Sequence, residues 1–441
     1  MKKVLILHAR QTMINLKVKI AYGRRGLNIN VPDDNLYRVV EPRFVPGAKD
    51  PYASVAQALH SPIASPPLGD LIKPRTDVTI VVSDKTRPVP TKIILPPLLD
   101  ELNASGVEDA RITILNATGL HRPNTEEELA EMLGADVVAR TRVINHNARD
   151  KDSQVYLGKT KSGTPVWLDR VLYKAKFRIL TGYIEPHFFA GYTGGRKAIL
   201  PGCAGLETIA HNHDAAHIGH PKARYGMTKG NPIYEDAVEV AEKVGAQFIV
   251  NVTLNRNKEI TKVFAGDMVK AHEEGMRFIS EKAKVTLPEE VDIAITNNAG
   301  YPLDLNLYQA VKGMTVPESV IRKGGEIVMA AECSEGIGHE TFERMILEAG
   351  SPENFLKRVN APGFFVIDQW QVQVLARILL KARISIYSEN LDRDKLRKMW
   401  LKPLSSVEEG VEAAIERIGP DAKVLVIPDG PDTWLELEQQ R

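Results

Sequence analysis

Residues 177–202 read FRILTGYIEPHFFAGYTGGRKAILPG: a short apolar run that gives way to glycines and then to two basic residues. The first six residues suit a buried strand, and the glycine-rich continuation suits a loop at its carboxyl end. The same grammar recurs along the chain. VTIVVS (78–83), RITILN (111–116), FIVNVTL (248–254), VDIAITN (291–297), GEIVMAA (325–331), GFFVID (363–368), ARISIYS (382–388) and AKVLVIP (422–428) are further strand-like runs, each closing in a polar, Gly- or Pro-bearing segment. Helix-like segments alternate with them: TEEELAEMLG (125–134), NPIYEDAVEVAEKVG (231–245), DMVKAHEEGMRFISEKAK (267–284) and PESVIRKGG (317–325). Such alternation predicts an α/β protein of two domains with largely parallel sheets. The boundary is expected near 285–290, around TLPEEV, where a long polar helix ends and a new strand–loop–helix series begins. This divides the chain into an N-terminal extension (1–12), an N-terminal domain (13–285) and a C-terminal α/β domain (286–441). The Pro-, Ala- and Ser-rich segment 41–70 is expected to wander over the surface.

Composition narrows the function. The 441 residues carry a formal net charge of +1, which argues against a nucleic-acid surface as the main business. Two cysteines, Cys203 and Cys333, cannot form a disulfide framework, and a reducing cytoplasm fits them best. No run approaches the roughly 18 apolar residues of a membrane span. The start, MKKVLILHARQT, has too short an apolar stretch for a signal peptide.

In open α/β sheets ligands gather outside the carboxyl ends of the strands. VTIVVS is followed there by DKTRPVP, with Asp84, Lys85 and Arg87. Arg87 could hold a carboxylate or phosphate through paired hydrogen bonds, and Asp84 with Arg87 would equally serve to order a turn. RITILN is followed by ATGLHRPN, which sets His121 at a strand end as an acid or base near neutral pH, or as a cap for the next helix. FRILTG is followed by His187 and then by Gly191, Gly194, Gly195, Arg196 and Lys197. Consecutive glycines let backbone N–H groups converge on an anion. This is neither a P-loop nor a dinucleotide fingerprint, because Arg196 intervenes and Ala198 follows the lysine.

Five of the chain's eleven histidines lie in 187–220. If ETIAHNHDAAHIGH is one helix, His213, His217 and His220 share a face, with His211 pointing elsewhere. That face reads either as a polar surface or as a three-histidine zinc site of a hydrolase or lyase. In the second half, TNNAGYPLDLNLYQAVKGM (296–314) places Tyr308, Gln309 and Lys312 near the start of a helix, where a solvated face is the plain reading. ECSEGIGH (332–339) and DQWQVQ (368–373) are polar loops, and Trp370 is a lid or a packing aromatic.

The ordered set SDKTRPVP, ATGLHR, PHFFAGYTGGRK, ETIAHNH, YQAVKG and ECSEGIGH resembles the lactate racemase family, the nickel-pincer-dependent racemases and epimerases of 2-hydroxy acids, over roughly residues 13–435. The resemblance implies an isomerase with its active site in the cleft between the domains. It implies a nickel-pincer nucleotide, a pyridinium-3,5-bisthiocarboxylic acid mononucleotide carrying nickel, attached covalently at Lys197. His213 would be the protein ligand to the metal, with Asp84, Gly194 and Gly195 beside the cofactor. His121 and His187 would be the acid/base pair, with Lys312 assisting. Arg87, Tyr308, Gln309, Lys312 and Trp370 would bind the substrate. Hydride would leave C2 of the hydroxy acid for the cofactor and return to the opposite face, erasing configuration through a flat 2-oxo acid. His217 and His220 would then lie outside the first contacts. The implied partners are a small 2-hydroxy acid and the enzymes that make the cofactor, with no nucleic acid and no membrane.

Overall fold

In the computed structural model, residues 15–438 are described; the expected extension 1–12 lies outside the described residues. Two six-stranded sheets carry the fold. The first has the order Ile260–Gly266, Phe248–Leu254, Phe177–Tyr183, Val78–Ser83, Ile112–Ala117, Arg142–Asn145. All its pairs are parallel except that between Ile260–Gly266 and Phe248–Leu254. The second has the order Lys402–Leu404, Arg383–Tyr387, Ile321–Ala330, Val291–Asn297, Val424–Val426, Leu36–Val39 and is parallel throughout. Strands covered by helices on both faces must be apolar on both, and VTIVVS is buried at its first five positions.

Both sheets reverse their strand order at the centre. In the first, the chain runs outward on one side from Val78–Ser83 and later returns to its other side with Phe177–Tyr183. A crevice therefore opens at the carboxyl ends of these two strands, where DKTRPVP and the glycine-rich loop begin. In the second sheet, Val291–Asn297 is the pivot and delivers the helix Leu307–Thr315.

Several expectations are corrected. Leu36–Val39, placed in the first domain by the 13–285 division, is an edge strand of the second sheet, paired in parallel with Val424–Val426. Segment 41–70 does not merely wander over the surface. Asp50 caps a helix Pro51–His60 by accepting from the Ala53 N–H at 2.9 Å, with Pro51 at the first helical position, where its missing N–H costs nothing. That helix buries Val55 and Leu59 completely, in the cluster that holds Leu95 and Leu98 of the helix Thr91–Ala104. A Leu59→Ala variant is expected to lose about 2–5 kcal/mol of stability, read as a lower urea midpoint with an unchanged slope. GFFVID is a loop, not a strand: Phe364, Val366 and Ile367 pack onto the core without joining a ladder. PESVIRKGG is a short 3-10 turn, Val316–Ser319, followed by the start of the strand Ile321–Ala330.

Candidate active site

The loops after the two pivotal strands and the helix Leu307–Thr315 close on one cavity of about 1120 Å³ including its mouth, ample for a nucleotide-sized group. It lies between the two sheets. Asp84, Arg87, His121, His187, Gly194, Lys197, His213, Tyr308, Gln309, Lys312 and Trp370 all line it.

Gly195 does not. It sits beneath the wall, its N–H donated to Asn251 Oδ1 at 2.7 Å, so it cannot also serve a ligand in the cavity. At φ +51°, a Cβ there would lie 2.8 Å from the His272 ring. Gly195→Ala is therefore expected to cost about 1–3 kcal/mol through left-handed strain and the clash. Thermal unfolding of the variant checks this.

The electrostatics are lopsided. Lys197 Nζ has no hydrogen-bond or ion-pair partner among the described residues and lies 5.8 Å from the centre of the Phe189 ring. Burial, and then the charge of Arg87, lower its pKa to about 7. Lys312 Nζ donates to Gln309 Oε1 at 2.6 Å, and burial and Arg87 hold its pKa well below the lysine range. The Arg87 guanidinium donates, among the described residues, only to the Thr86 carbonyl and hydroxyl. Three basic side chains thus share a cavity in which, among the described residues, no carboxylate pairs with them directly. Such a cavity favours an anion.

The imidazoles differ in kind. His121 Nδ1 lies 2.5 Å from Asp84 Oδ2. Burial alone would raise the Asp84 carboxyl, but His121, Arg87 and the Thr86 hydroxyl outweigh it and hold it at about 2. As a carboxylate, Asp84 accepts a hydrogen bond from His121 Nδ1–H, which keeps the ring proton on Nδ1 and leaves Nε2 as an open acceptor. His187 has the reverse arrangement. Its Nδ1 accepts from the N–H groups of Phe189, at 3.4 Å, and Ala190, at 3.2 Å, so Nε2 carries the proton. Burial, then Lys197 and Lys312, keep His187 neutral by lowering its pKa well below the usual range. His213 is only 5% exposed, its Nδ1 is buried with no partner, and its ring meets the edges of Phe189 and Trp370 at 5.2 and 5.4 Å. Burial and the charge of Lys197 lower its pKa to about 3, which leaves an unprotonated imidazole.

The expected single helix over the later histidines is broken. Leu206–Asn212 ends at His213, and Asp214 caps a new short helix, Ala215–Gly219. His213, His217 and His220 therefore share no face, and the three-histidine zinc arrangement does not form. His213 alone enters the cavity; His217 is turned to Asp214, and His220 is exposed.

Reading the sequence missed a second histidine–aspartate pair. His339 Nδ1 lies 2.9 Å from Asp368 Oδ2, which also accepts from Thr341 Oγ1 at 2.6 Å. The His339 ring stacks on Tyr308 at 4.1 Å and lies 6.4 Å from His121 across the cleft. Both residues stand on the polar loops already noted, and the left-handed φ of +73° at Asp368 marks a constrained position. Trp370 Nε1 donates to Tyr308 Oη at 3.1 Å, which fixes the phenol in the wall.

Residues 22–226 match the model of the lactate racemase N-terminal domain, and residues 287–433 match the lactate racemase C-terminal domain. A lactate racemase of Lactiplantibacillus plantarum is 40% identical over 417 residues, 94% of this chain and 98% of the relative. One from Thermoanaerobacterium thermosaccharolyticum is 37% identical over 419 residues, 94% and 97% of the two chains. The solved apoprotein structure of lactate racemase from the latter organism superposes with a TM-score of 0.88 at 35% identity, covering 95% of this chain and all of that one. A protein of Thermotoga maritima shares the fold at a TM-score of 0.69 and 20% identity.

Proposed function

Because the chain belongs to the lactate racemase family, and is thereby an isomerase, we propose that it inverts C2 of lactate or a closely related 2-hydroxy acid, using a nickel-pincer nucleotide tethered to Lys197. The observation that carries this reading is the meeting, in one cavity, of an unpaired lysine amine with a pKa near 7 and a buried imidazole whose Nδ1 has no partner. A buried polar atom without a partner is costly unless a ligand satisfies it. Lys197 would form the covalent link and His213 would ligate the metal. Gly194, at φ +78°, brings the backbone so close that a Cβ there would lie 2.6 Å from Asn251 Oδ1.

When bound, the group supplies a reversible hydride acceptor for C2; the chain supplies the rest. Arg87 and Lys312 hold the substrate carboxylate, with Gln309 orienting the Lys312 ammonium. Tyr308 and Trp370 wall the pocket. His121 Nε2 takes the hydroxyl proton and Asp84 stabilises the resulting imidazolium. His187 Nε2–H donates a hydrogen bond to the oxygen and keeps its proton, while the His121 imidazolium returns the hydroxyl proton when the opposite enantiomer forms. Removing hydrogen from C2 leaves a planar carbon, so its return to either face loses the configuration. No helix among the described residues is long and apolar enough to cross a membrane, and we place the enzyme in the cytoplasm with the enzymes that make its cofactor.

The test is chiral chromatography of L-lactate incubated with chain co-expressed with the cofactor-making enzymes. Approach to an equal mixture of enantiomers is the expected result. A product other than the opposite 2-hydroxy acid, or none from fully loaded protein with lactate or larger 2-hydroxy acids, would overturn the reading.

A further inference from the structure

Behind His213 lies a second cluster that the proposed reaction does not use. His211, Asp214 and His217 each bring one donor atom within 4.8 Å of the others. His211 Nδ1 is engaged at 2.9 Å by Thr164 Oγ1, whose hydroxyl in turn donates to Asp236 Oδ2. His217 Nδ1 and Asp214 Oδ1 stand 2.8 Å apart, a spacing that two donors on one ion can share. His211 Nε2 has no hydrogen bond among the described residues, and its Nδ1 is held by the Thr164 hydroxyl, as the outer nitrogen of a metal-binding histidine is held by a carboxylate or hydroxyl that fixes tautomer and direction. The rings stand 5.6 Å apart at 64°. Two imidazoles on one tetrahedral ion, at about 2.0–2.1 Å from each nitrogen, have centroids roughly 5–5.5 Å apart.

Charge points the same way. Asp236 is 4% exposed and lies 3.9 Å, through Oδ2, from His217 Nε2. Its other partners are the hydroxyls of Ser162 and Thr164 and the amide of Asn212. Among the described residues neither Asp214 nor Asp236 pairs with a lysine or arginine; His217 is the ionic partner of both. Two carboxylates, one of them deeply buried, thus face two imidazoles with no fixed cation between them. A divalent cation there would offset more of that charge than the His217 ring alone.

We infer that His211, Asp214 and His217, supported by Asp236, form a second metal site for a borderline divalent cation of the zinc type. Nitrogen and carboxylate donors in this mixture suit that class and not calcium or magnesium. The site spans the break between the helices Leu206–Asn212 and Ala215–Gly219, and so pins the turn from which His213 enters the cavity. It has no need of the nucleotide and does not rest on the reading of the cavity.

The experiment uses the full-length chain made without the cofactor-making enzymes, stripped with chelator and dialysed against micromolar Zn²⁺, with metal counted by mass spectrometry. One zinc per chain is expected. His211→Ala/His217→Ala should weaken retention by tenfold or more, whereas His213→Ala should keep the zinc. Thr164→Val leaves every ligand in place and, with its metal-free melting temperature measured alongside, is expected to weaken zinc about 10–100-fold. Absence of zinc from the wild-type chain at micromolar metal overturns the inference, in which case His217 as imidazolium balances the carboxylates. So does zinc that survives His211→Ala/His217→Ala or Thr164→Val unchanged, or that is lost with His213→Ala alone. Failure here leaves nickel and adduct at Lys197 untouched, so the two readings fall separately.

Discussion

Lys197→Ala abolishes racemisation and, in protein from a host that makes the cofactor, leaves no nucleotide-sized adduct in the peptide that spans residue 197. An ordinary lysine is almost wholly ammonium at neutral pH and cannot act as a nucleophile. Lys197, with its pKa lowered from 10.5 to about 7 by burial and by Arg87, presents a large share of free amine there. Lys197→Arg should fail equally, since guanidinium stays protonated. Peptide mass spectrometry with nickel counted on the same sample checks the tether, and full activity in Lys197→Ala would refute it. A second measurement needs no cofactor. The folded pKa lies below the unfolded one, so between about pH 7 and 10.5 the unfolded chain binds more protons and wild-type stability gains with rising pH. Below pH 7 the buried ammonium is a net cost. Lys197→Met should then raise the melting temperature of the cofactor-free chain at pH 6, by the equivalent of about 1–3 kcal/mol after screening through the open mouth. The advantage should shrink towards pH 10. A pH-independent difference would mean that Lys197 is an ordinary solvated lysine.

How far such a site is legible in sequence depends on whether its parts are local. Asp84, Arg87, His121, His187 and Lys197 stand directly after apolar runs, and a parallel sheet delivers such loops to one edge, so their meeting follows from chain order and the rule for open sheets. His339 and Asp368 escaped because neither loop has a spacing that pairs it with the other; only the packing of the second sheet sets them 2.9 Å apart. Gly195 looked like its neighbour Gly194, yet the Asn251 side chain from another strand claims its N–H. The histidine run misled because spacing of three and four favours a shared face only while the helix continues. Asp214 side-chain oxygen competes for the His217 N–H and starts a new helix there. The same limit explains the fold. The length and polarity of Leu36–Val39 fit either sheet, and its partner Val424–Val426 lies at the other end of the chain. GFFVID has a strand's apolarity but joins no ladder; Phe364, Val366 and Ile367 pack onto the core from a loop.

His121→Ala in fully loaded protein should keep nickel and adduct at wild-type levels while kcat falls roughly 10²–10⁴-fold, the worth of a positioned general base. This separates His121 from Lys197, whose loss removes the cofactor itself. Asp84→Asn sharpens the assignment. The carboxylate of Asp84, held at about 2, accepts a hydrogen bond from His121 Nδ1–H and so keeps Nε2 free to act as base. An amide can present its NH₂ to Nδ1 instead, which would move the ring proton to Nε2 and turn the base into a donor. The expected result is a kcat loss within about tenfold of His121→Ala, little change in KM, and no further loss when the two are combined, because residues that act as one unit are not additive. His187→Ala should be worse than additive with neither: it removes the donor, not the base, so the product of its own loss and that of Asp84→Asn should appear in the double variant until the uncatalysed limit is reached. If Asp84→Asn instead lowers nickel content with kcat per nickel unchanged, Asp84 serves the cofactor, and the base must be oriented by another group. The one other acid–histidine pair in the wall is Asp368 with His339, whose ring lies 6.4 Å from His121, and His339→Ala would then be the variant that loses turnover without losing metal.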